Sequence, residues 1–247
     1  NAASNVLGTP LPLEALASLA RERGALVLVD AAQSAGQLPG SPAEAGAHMV
    51  AFTGHKSLLG PQGTGGLWVA EGVEVRPFCS GGTGGDSTLR DMPPSYPDHL
   101  EAGTPNAPGL AGLLAGCTHV LEEGVEAIHV RESALKVRLL EGLEAISGVE
   151  VLSPAVPGGA ALVTLRVEGT TPAEAARRLE ADWGVLVRAG LHCAPEAHRI
   201  LGSIETGAVR VSLGWASTEE DVDRVLEGLA VLGSEARVRS VGGLAPA

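Results

Sequence analysis

Residues 25–30, ALVLVD, form an unbroken apolar run that ends on a carboxylate. A strand with one wet face alternates polar and apolar side chains. A strand that does not alternate is buried on both faces, as in a parallel sheet covered by helices. MVAFTG (49–54) and GGLWVA (65–70) read the same way. Just upstream, LPLEALASLARER (11–23) sets Leu13, Leu16 and Leu19 at helical spacing, with Pro12 in the first turn and Gly24 past the end. Helix and strand alternate, so the fold class is α/β, with a mostly parallel sheet.

The pattern then changes. From about 74 to 110 it dissolves into Gly, Pro and Ser (FCSGGTGGDST, then DMPPSYPDHLEAGTPNAPG), and a loop of that length is functional or disordered. A single proline-free helix is expected over about 111–147, ended by Gly148. After the break PAVPGG (154–159), AALVTLRVEG (160–169) alternates like a half-exposed strand, and Thr171-Pro172-Ala173-Glu174 is a capping box. VLVRAGLHC (185–193) and AVRVSLGW (208–215) read as strands, and Ser217 with Glu220 is expected to cap a last helix. This half reads as a small α+β domain. The expected division is 1–112 for the large domain, 113–150 for a connecting helix, 151–236 for the small domain and 237–247 for a frayed tail.

Aromatic residues make up only 2%, so the core must be Ala, Val and Leu. A net charge of −12 argues against nucleic acid or an anionic membrane as a main partner. No apolar run approaches the ~20 residues of a membrane span. Cysteines at 79, 117 and 193 build no disulfide framework, so a reducing, cytoplasmic setting is expected. His48, His99, His119, His129 and His198 show no metal-ligand spacing, and no metal is expected. Trp183 and Trp215 read as packing residues.

Only two lysines occur, Lys56 and Lys136. Lys56 follows the strand ending Thr53-Gly54-His55, ahead of the glycine-rich GPQGTGG, while Asp30 and Gln33 follow the earlier strand. Open α/β sheets place ligands at these carboxyl ends. Taken singly, a strand-terminal Asp is an ordinary helix cap and a glycine-rich turn is common. Together they fit one chemistry. A lysine amine forms a Schiff base with a carbonyl, and pyridoxal phosphate needs such a lysine, an acid at its ring nitrogen and donors for its phosphate. Lys56 fits the first role, Asp30 the second, and Thr53 and His55 the third.

Four ordered motifs carry a family resemblance: VLVDAAQSAG, AFTGHKSLLGPQGTGGLWV, EAGTPN and VRAGLHCAPEAHRILGSIETGAVRVSLGWASTEEDVD. From about residue 2 to 230 the chain resembles the class V aminotransferases, in their cysteine desulfurase and selenocysteine lyase branch. The resemblance implies a fold-type I pyridoxal-phosphate enzyme, a homodimer with active sites shared at the subunit interface. It implies Lys56 as the Schiff-base lysine, Asp30 at the pyridine nitrogen, Gln33 at the phenolic oxygen, and Thr53 and His55 at the phosphate. Thr104 of EAGTPN is expected to reach the neighbouring subunit's phosphate, and Asn5 to stand near cofactor and substrate carboxylate. Arg210 matches the substrate-carboxylate arginine, and Arg188 is expected beside it or close to substrate. Cys193, in RAGLHCAP, matches the desulfurase nucleophile, with His192 and Arg188 as local candidates for activating it. The implied reaction removes sulfur from L-cysteine, leaving alanine and a Cys193 persulfide, with a sulfur-acceptor protein as a possible partner.

The chain departs from the family in two respects. Members carry roughly a further third of chain ahead of the position of Asn5, including a phosphate turn and an aromatic residue stacked on the cofactor, and no residue here takes either role. The expectation is a chain lacking its amino-terminal part. Leu191 stands where many desulfurases have a second histidine. Two other readings therefore stay open: another class V reaction (selenocysteine lysis, transamination or epimerisation), or a truncated, non-catalytic dimerisation or sulfur-relay scaffold.

Overall fold

A computed structural model describes residues 1–86, 88–154 and 158–242, with the backbone alone over 236–242. The carboxy-terminal end of the expected frayed tail, 243–247, and the middle of the 154–159 break lie outside the described residues, whereas 237–242 continue the last helix.

The first half builds α1 (Leu13–Glu22), β1 (Leu28–Asp30), β2 (Met49–Thr53) and β3 (Gly65–Val69). The sheet order is β1-β2-β3; β1 and β2 run parallel, and β3 returns antiparallel on β2. Because β1 and β2 run the same way, Asp30 and Thr53 finish at one edge of the sheet. The expectation of burial on both faces is corrected here. Val29 is buried, but Leu28 beside it is 58% exposed, and among the described strands β1 has a neighbour on one side only. On α1 the buried residue is Ala17, while Leu16 and Leu19 stay exposed.

No helix or strand occurs among the described residues between β3 and α2 (Ala107–Glu123). His99 fastens this segment, with its two ring nitrogens 2.8 Å from the Pro93 carbonyl oxygen and 3.0 Å from that of Val75. The single helix expected over 111–147 is two: α2 starts earlier, capped by the Asn106 side chain on the Gly109 N–H, and α3 (Val125–Glu144) follows it. Gly124 separates them with φ +82°, a conformation that breaks the helix and that glycine adopts without a Cβ clash.

The second half is an antiparallel sheet, β4-β5-β7-β6, of β4 (Val149–Val151), β5 (Leu162–Val167), β7 (Ala208–Ser212) and β6 (Arg188–Gly190). α4 (Pro172–Trp183), the short α5 (Pro195–Ile200) and α6 (Glu219–Gly242) complete it. The Thr171 hydroxyl caps α4 as expected, by accepting from the Glu174 N–H. The cap ahead of α6 is a residue later than expected: Thr218 and Asp221 exchange side-chain and backbone hydrogen bonds, and Ser217 accepts from the Gly214 N–H.

β5 is not half-exposed; all of it except Arg166 is buried. Val163, Leu165 and Val167 face the main core with Leu139, Leu179, Val222 and Leu229 from α3, α4 and α6. Leu162 and Thr164 face the opening segment instead: Leu162 packs with Ala3 and Ala160, and the Thr164 hydroxyl donates to the Val6 carbonyl. An alternating sequence thus becomes a central strand, because residues 3–8 cover its second face.

Leu165 is fully buried in the main core. Leu165→Ala is expected to lower unfolding stability by about 2–5 kcal/mol, read from denaturant melts.

Candidate active site

The opening segment joins both sheets. The Ala2 N–H donates to the Asp30 carbonyl at 2.8 Å, and the Ala160 N–H donates to the Gly8 carbonyl at 2.8 Å. Asn5 sits between these ties. Its Nδ2 donates to the His192 carbonyl at 2.5 Å, and its own carbonyl accepts from Arg210 Nη1 at 2.9 Å.

A cleft of about 250 Å³ opens here, lined by Asn5, Asp30, Gln33, Lys56 and Cys193. Asp30 Oδ1 accepts the Ala32 N–H at 2.9 Å, which fixes the carboxylate and leaves Oδ2 with no bond from a described residue. Lys56 lies two residues after Gly54, where an added Cβ would fall 2.2 Å from Thr64 Oγ1, so the missing side chain lets Thr64 pack close against the end of β2. Lys56 is exposed, and its Nζ has no hydrogen-bond partner among the described residues. Thr53 Oγ1 and His55 Nδ1 are 2.8 Å apart, sharing a hydrogen bond at the end of β2.

Lys56 and Gln33 also line a second cleft of about 250 Å³, with Arg210, Gln37, Glu132 and Trp215. Arg210 Nε donates to Ser212 Oγ at 3.1 Å, and Arg188 stands directly opposite Arg210 across the β6–β7 pair. Burial, then the Arg188 charge, pulls the Arg210 guanidinium below its ordinary range, and Cys193 works the other way. Two facing cations, one half-buried, favour an anion between or beside them.

Of the expected residues, Asn5, Asp30, Gln33, Lys56 and Cys193 share one cleft, and Lys56 and Arg210 share the adjoining one. Arg188 lines neither and is Arg210's cross-strand partner. Thr104, exposed in the turn before α2, lines neither.

Sequence reasoning missed the roles of four residues. Gln37 Nε2 donates to Glu132 Oε2 at 2.7 Å, and Glu132 is 2% exposed. Burial pushes the Glu132 carboxyl up to about 7, with Gln37 and Arg131 working against the rise. Lys136, one turn on, donates to the Ala160 carbonyl at 3.2 Å, and burial lowers its amine. Trp215, expected only to pack, also lines the cleft. It stacks on His119 at 5.3 Å, lies under Arg131 at 4.6 Å, and keeps a buried Nε1 without a partner among the described residues. A Glu at helical spacing from a Lys reads as a solvated pair, so nothing in the sequence marked Glu132 as buried.

A lysine, an aspartate and a glutamine at the carboxyl edge of the first sheet meet Cys193 from the turn after β6, with Arg210 of β7 at the adjoining cleft, in an α/β-plus-α+β arrangement of the fold-type I class. The family model for class V aminotransferases matches residues 1–225, and the chain belongs to that family, one of pyridoxal-phosphate enzymes. It is 37% identical over 233 residues to a probable cysteine desulfurase of Xylella fastidiosa, covering 92% of this chain and 54% of that one. It is 35% identical over 234 residues to the cysteine desulfurase of Klebsiella pneumoniae, covering 92% and 55%. The apo cysteine desulfurase of Thermococcus onnurineus NA1 superposes with a TM-score of 0.85 at 34% identity, over 94% of this chain and 58% of that one. The Escherichia coli cysteine desulfurase CsdA (S-sulfonic acid) also gives 0.85, at 27% identity over 94% and 58%. The chain thus spans about half the length of the curated relatives it matches. No helix among the described residues is long and apolar enough to cross a membrane.

The Glu132 carboxyl keeps its proton to higher pH in the folded chain than in the unfolded one. Its contribution to stability is therefore full below about 4.5 and is lost as pH rises through about 7. At ~1.4 kcal/mol per pH unit, the loss is roughly 3 kcal/mol. Denaturant melts of Glu132→Gln should lack this fall between the two pH values, whereas the parent should show it.

Proposed function

We propose that the chain is the part of a pyridoxal-phosphate cysteine desulfurase that carries its lysine and its nucleophile. The observation that supports this best is the shared cleft: Lys56, Asp30 and Cys193, far apart in sequence, line one cavity.

The residues present fit the cofactor. Lys56 Nζ is unengaged, Asp30 offers one free oxygen, and a hydroxyl and an imidazole stand together at Thr53 and His55. In this reading Lys56 would hold the aldehyde carbon, Asp30 the ring nitrogen, Gln33 the phenolic oxygen, and Thr53 and His55 the phosphate. Asn5 would stand beside cofactor and substrate. When bound, pyridoxal phosphate supplies an electron sink for the α-carbon of an amino acid.

The protein's own groups account for the rest. Arg210 would grip the substrate carboxylate, its planar fork held by Ser212 and by the Asn5 carbonyl, with Arg188 adding positive charge from across the ladder. Lys56 Nζ would move the α-proton, a role a guanidinium cannot take over because it does not give up its proton. Cys193 is exposed in the cleft, so its sulfur can meet an incoming thiol. It would attack the substrate sulfur, forming an S–S bond as the substrate's C–S bond breaks; alanine and a Cys193 persulfide result.

The homodimer with shared active sites belongs to the same proposal. Leu110, Leu114 and Leu121 stand exposed along one side of α2, an apolar stripe that a second subunit would cover, and Thr104 in the preceding turn would then reach the partner's phosphate. The division into a cofactor-holding part, 1–112, a connection over 113–150 and a small part, 151–236, is likewise proposed, as is a cytoplasmic setting with a sulfur-acceptor protein.

Cys193→Ala is expected to lower sulfide release from L-cysteine by at least ~100-fold while the absorbance of bound cofactor persists. Unchanged release would point to a reaction that needs no thiol.

A further inference from the structure

His192 precedes Cys193, and both residues adopt the left-handed conformation, with φ +52° and +58°. Two consecutive non-glycine residues in that region persist only where their surroundings hold them. What holds them is a hydrogen-bonded chain that runs from half-buried His192 into the interior. His192 Nδ1 lies 3.2 Å from His198 Nε2, and His198 Nδ1 lies 2.8 Å from Ser203 Oγ. His192 Nε2 lies 3.3 Å from the Arg188 carbonyl oxygen. His198 and Ser203 are fully buried.

The proton positions follow from the distances. Ser203 Oγ is 3.4 Å from the His198 carbonyl, which already accepts the Ser203 N–H at 2.8 Å, so the hydroxyl proton goes to the nearer His198 Nδ1. His198 then carries its hydrogen on Nε2 and donates it to His192 Nδ1. His192 in turn carries its hydrogen on Nε2 and donates it to the Arg188 carbonyl. Every proton has an acceptor. The opposite direction would set the lone pair of a neutral His192 Nε2 against the lone pairs of a carbonyl oxygen.

We propose that His192 is a strut and not a base for Cys193, and that His198, anchored by Ser203, is the positioning residue that holds the nucleophile's turn. Both ring nitrogens of His192 are engaged, so neither is left for the thiol. The charged groups around the chain agree. Arg188 on β6, Arg210 on β7 and His198 on α5 face His192, and Arg166 on β5 faces His198; none is an anion that would support a protonated ring. Burial lowers both imidazoles below the ordinary histidine range, with the carbonyl bond to Arg188 acting against the shift at His192. Arg210 acts on Cys193 with its positive charge, and Lys56 lines the same cleft as Cys193. Asn5 Nδ2 on the His192 carbonyl is a second tie on the same turn.

The proposal rests on reading Cys193 as the nucleophile, yet neither readout below depends on turnover. Amide exchange over residues 191–194 in the full chain should speed up by ~10-fold or more in His198→Leu and by less in Ser203→Ala, without a matching change elsewhere. His198→Gln, whose amide can accept from Ser203 and donate to His192, should stay near the parent rate. Iodoacetamide labelling of Cys193 followed from about pH 5 to 8, where histidines titrate, should keep its profile shape in His192→Gln. The proposal is overturned if exchange at 191–194 is unmoved in both His198→Leu and Ser203→Ala. It is equally overturned if Gln rescues no better than Leu, or if a histidine inflection in the parent profile vanishes in His192→Gln. Loss of sulfide chemistry with these results intact would count against the desulfurase reading alone.

Discussion

One joint holds this site together: the Asn5 backbone oxygen accepts from Arg210, while the Asn5 amide donates to the carbonyl of His192. Three segments meet there that share no secondary structure, namely the opening residues, the middle of β7 and the turn before α5. The same opening segment donates to the Asp30 carbonyl at the end of β1 and covers the second face of β5. The edge carrying Asp30 and Lys56 therefore faces Cys193 and Arg210. With the Ala2–Asp30 and Ala160–Gly8 hydrogen bonds, the joint brings two sheets of different kinds to one cavity.

Around the joint, polar groups are buried at a cost that the fold offsets by pairing them. Glu132 has Gln37, Lys136 has the Ala160 carbonyl, and His198 has Ser203. Unpaired, each would be destabilising by a few kcal/mol. Among the described residues two buried side-chain atoms lack a partner, Trp215 Nε1 at the second cleft and Arg166 Nε, which lines neither, while Lys56 Nζ and Asp30 Oδ2 stand open in the first. A ligand in the clefts would find there donors and an acceptor that no described residue engages. Arg188 facing Arg210 adds positive charge.

Much of this was readable in the chain itself. Apolar runs that ended on Asp30 and Thr53 located the edge of the sheet, because strand direction and the carboxylate are both local in sequence. The rarity of lysine singled out Lys56, and the Thr171 cap lay entirely within four residues. What could not be read depended on contacts between distant segments. The alternation in 160–169 pointed to a wet face, but residues 3–8 cover it. An uninterrupted helical composition over 111–147 hid the break at Gly124, where a single backbone angle decides. Leu28 looked buried because its neighbours are apolar, although its exposure is set by which elements lie beside β1. Glu132 and His198 gave no warning at all, since burial of a polar side chain depends on partners far along the chain.

The most direct test of the account is chemical. The protein incubated with pyridoxal phosphate, reduced with borohydride and digested should yield one pyridoxyl-bearing peptide, with the added mass on Lys56 and none on the buried Lys136. A preparation that binds the cofactor tightly but carries the mass at Lys136, or at no lysine, would contradict it.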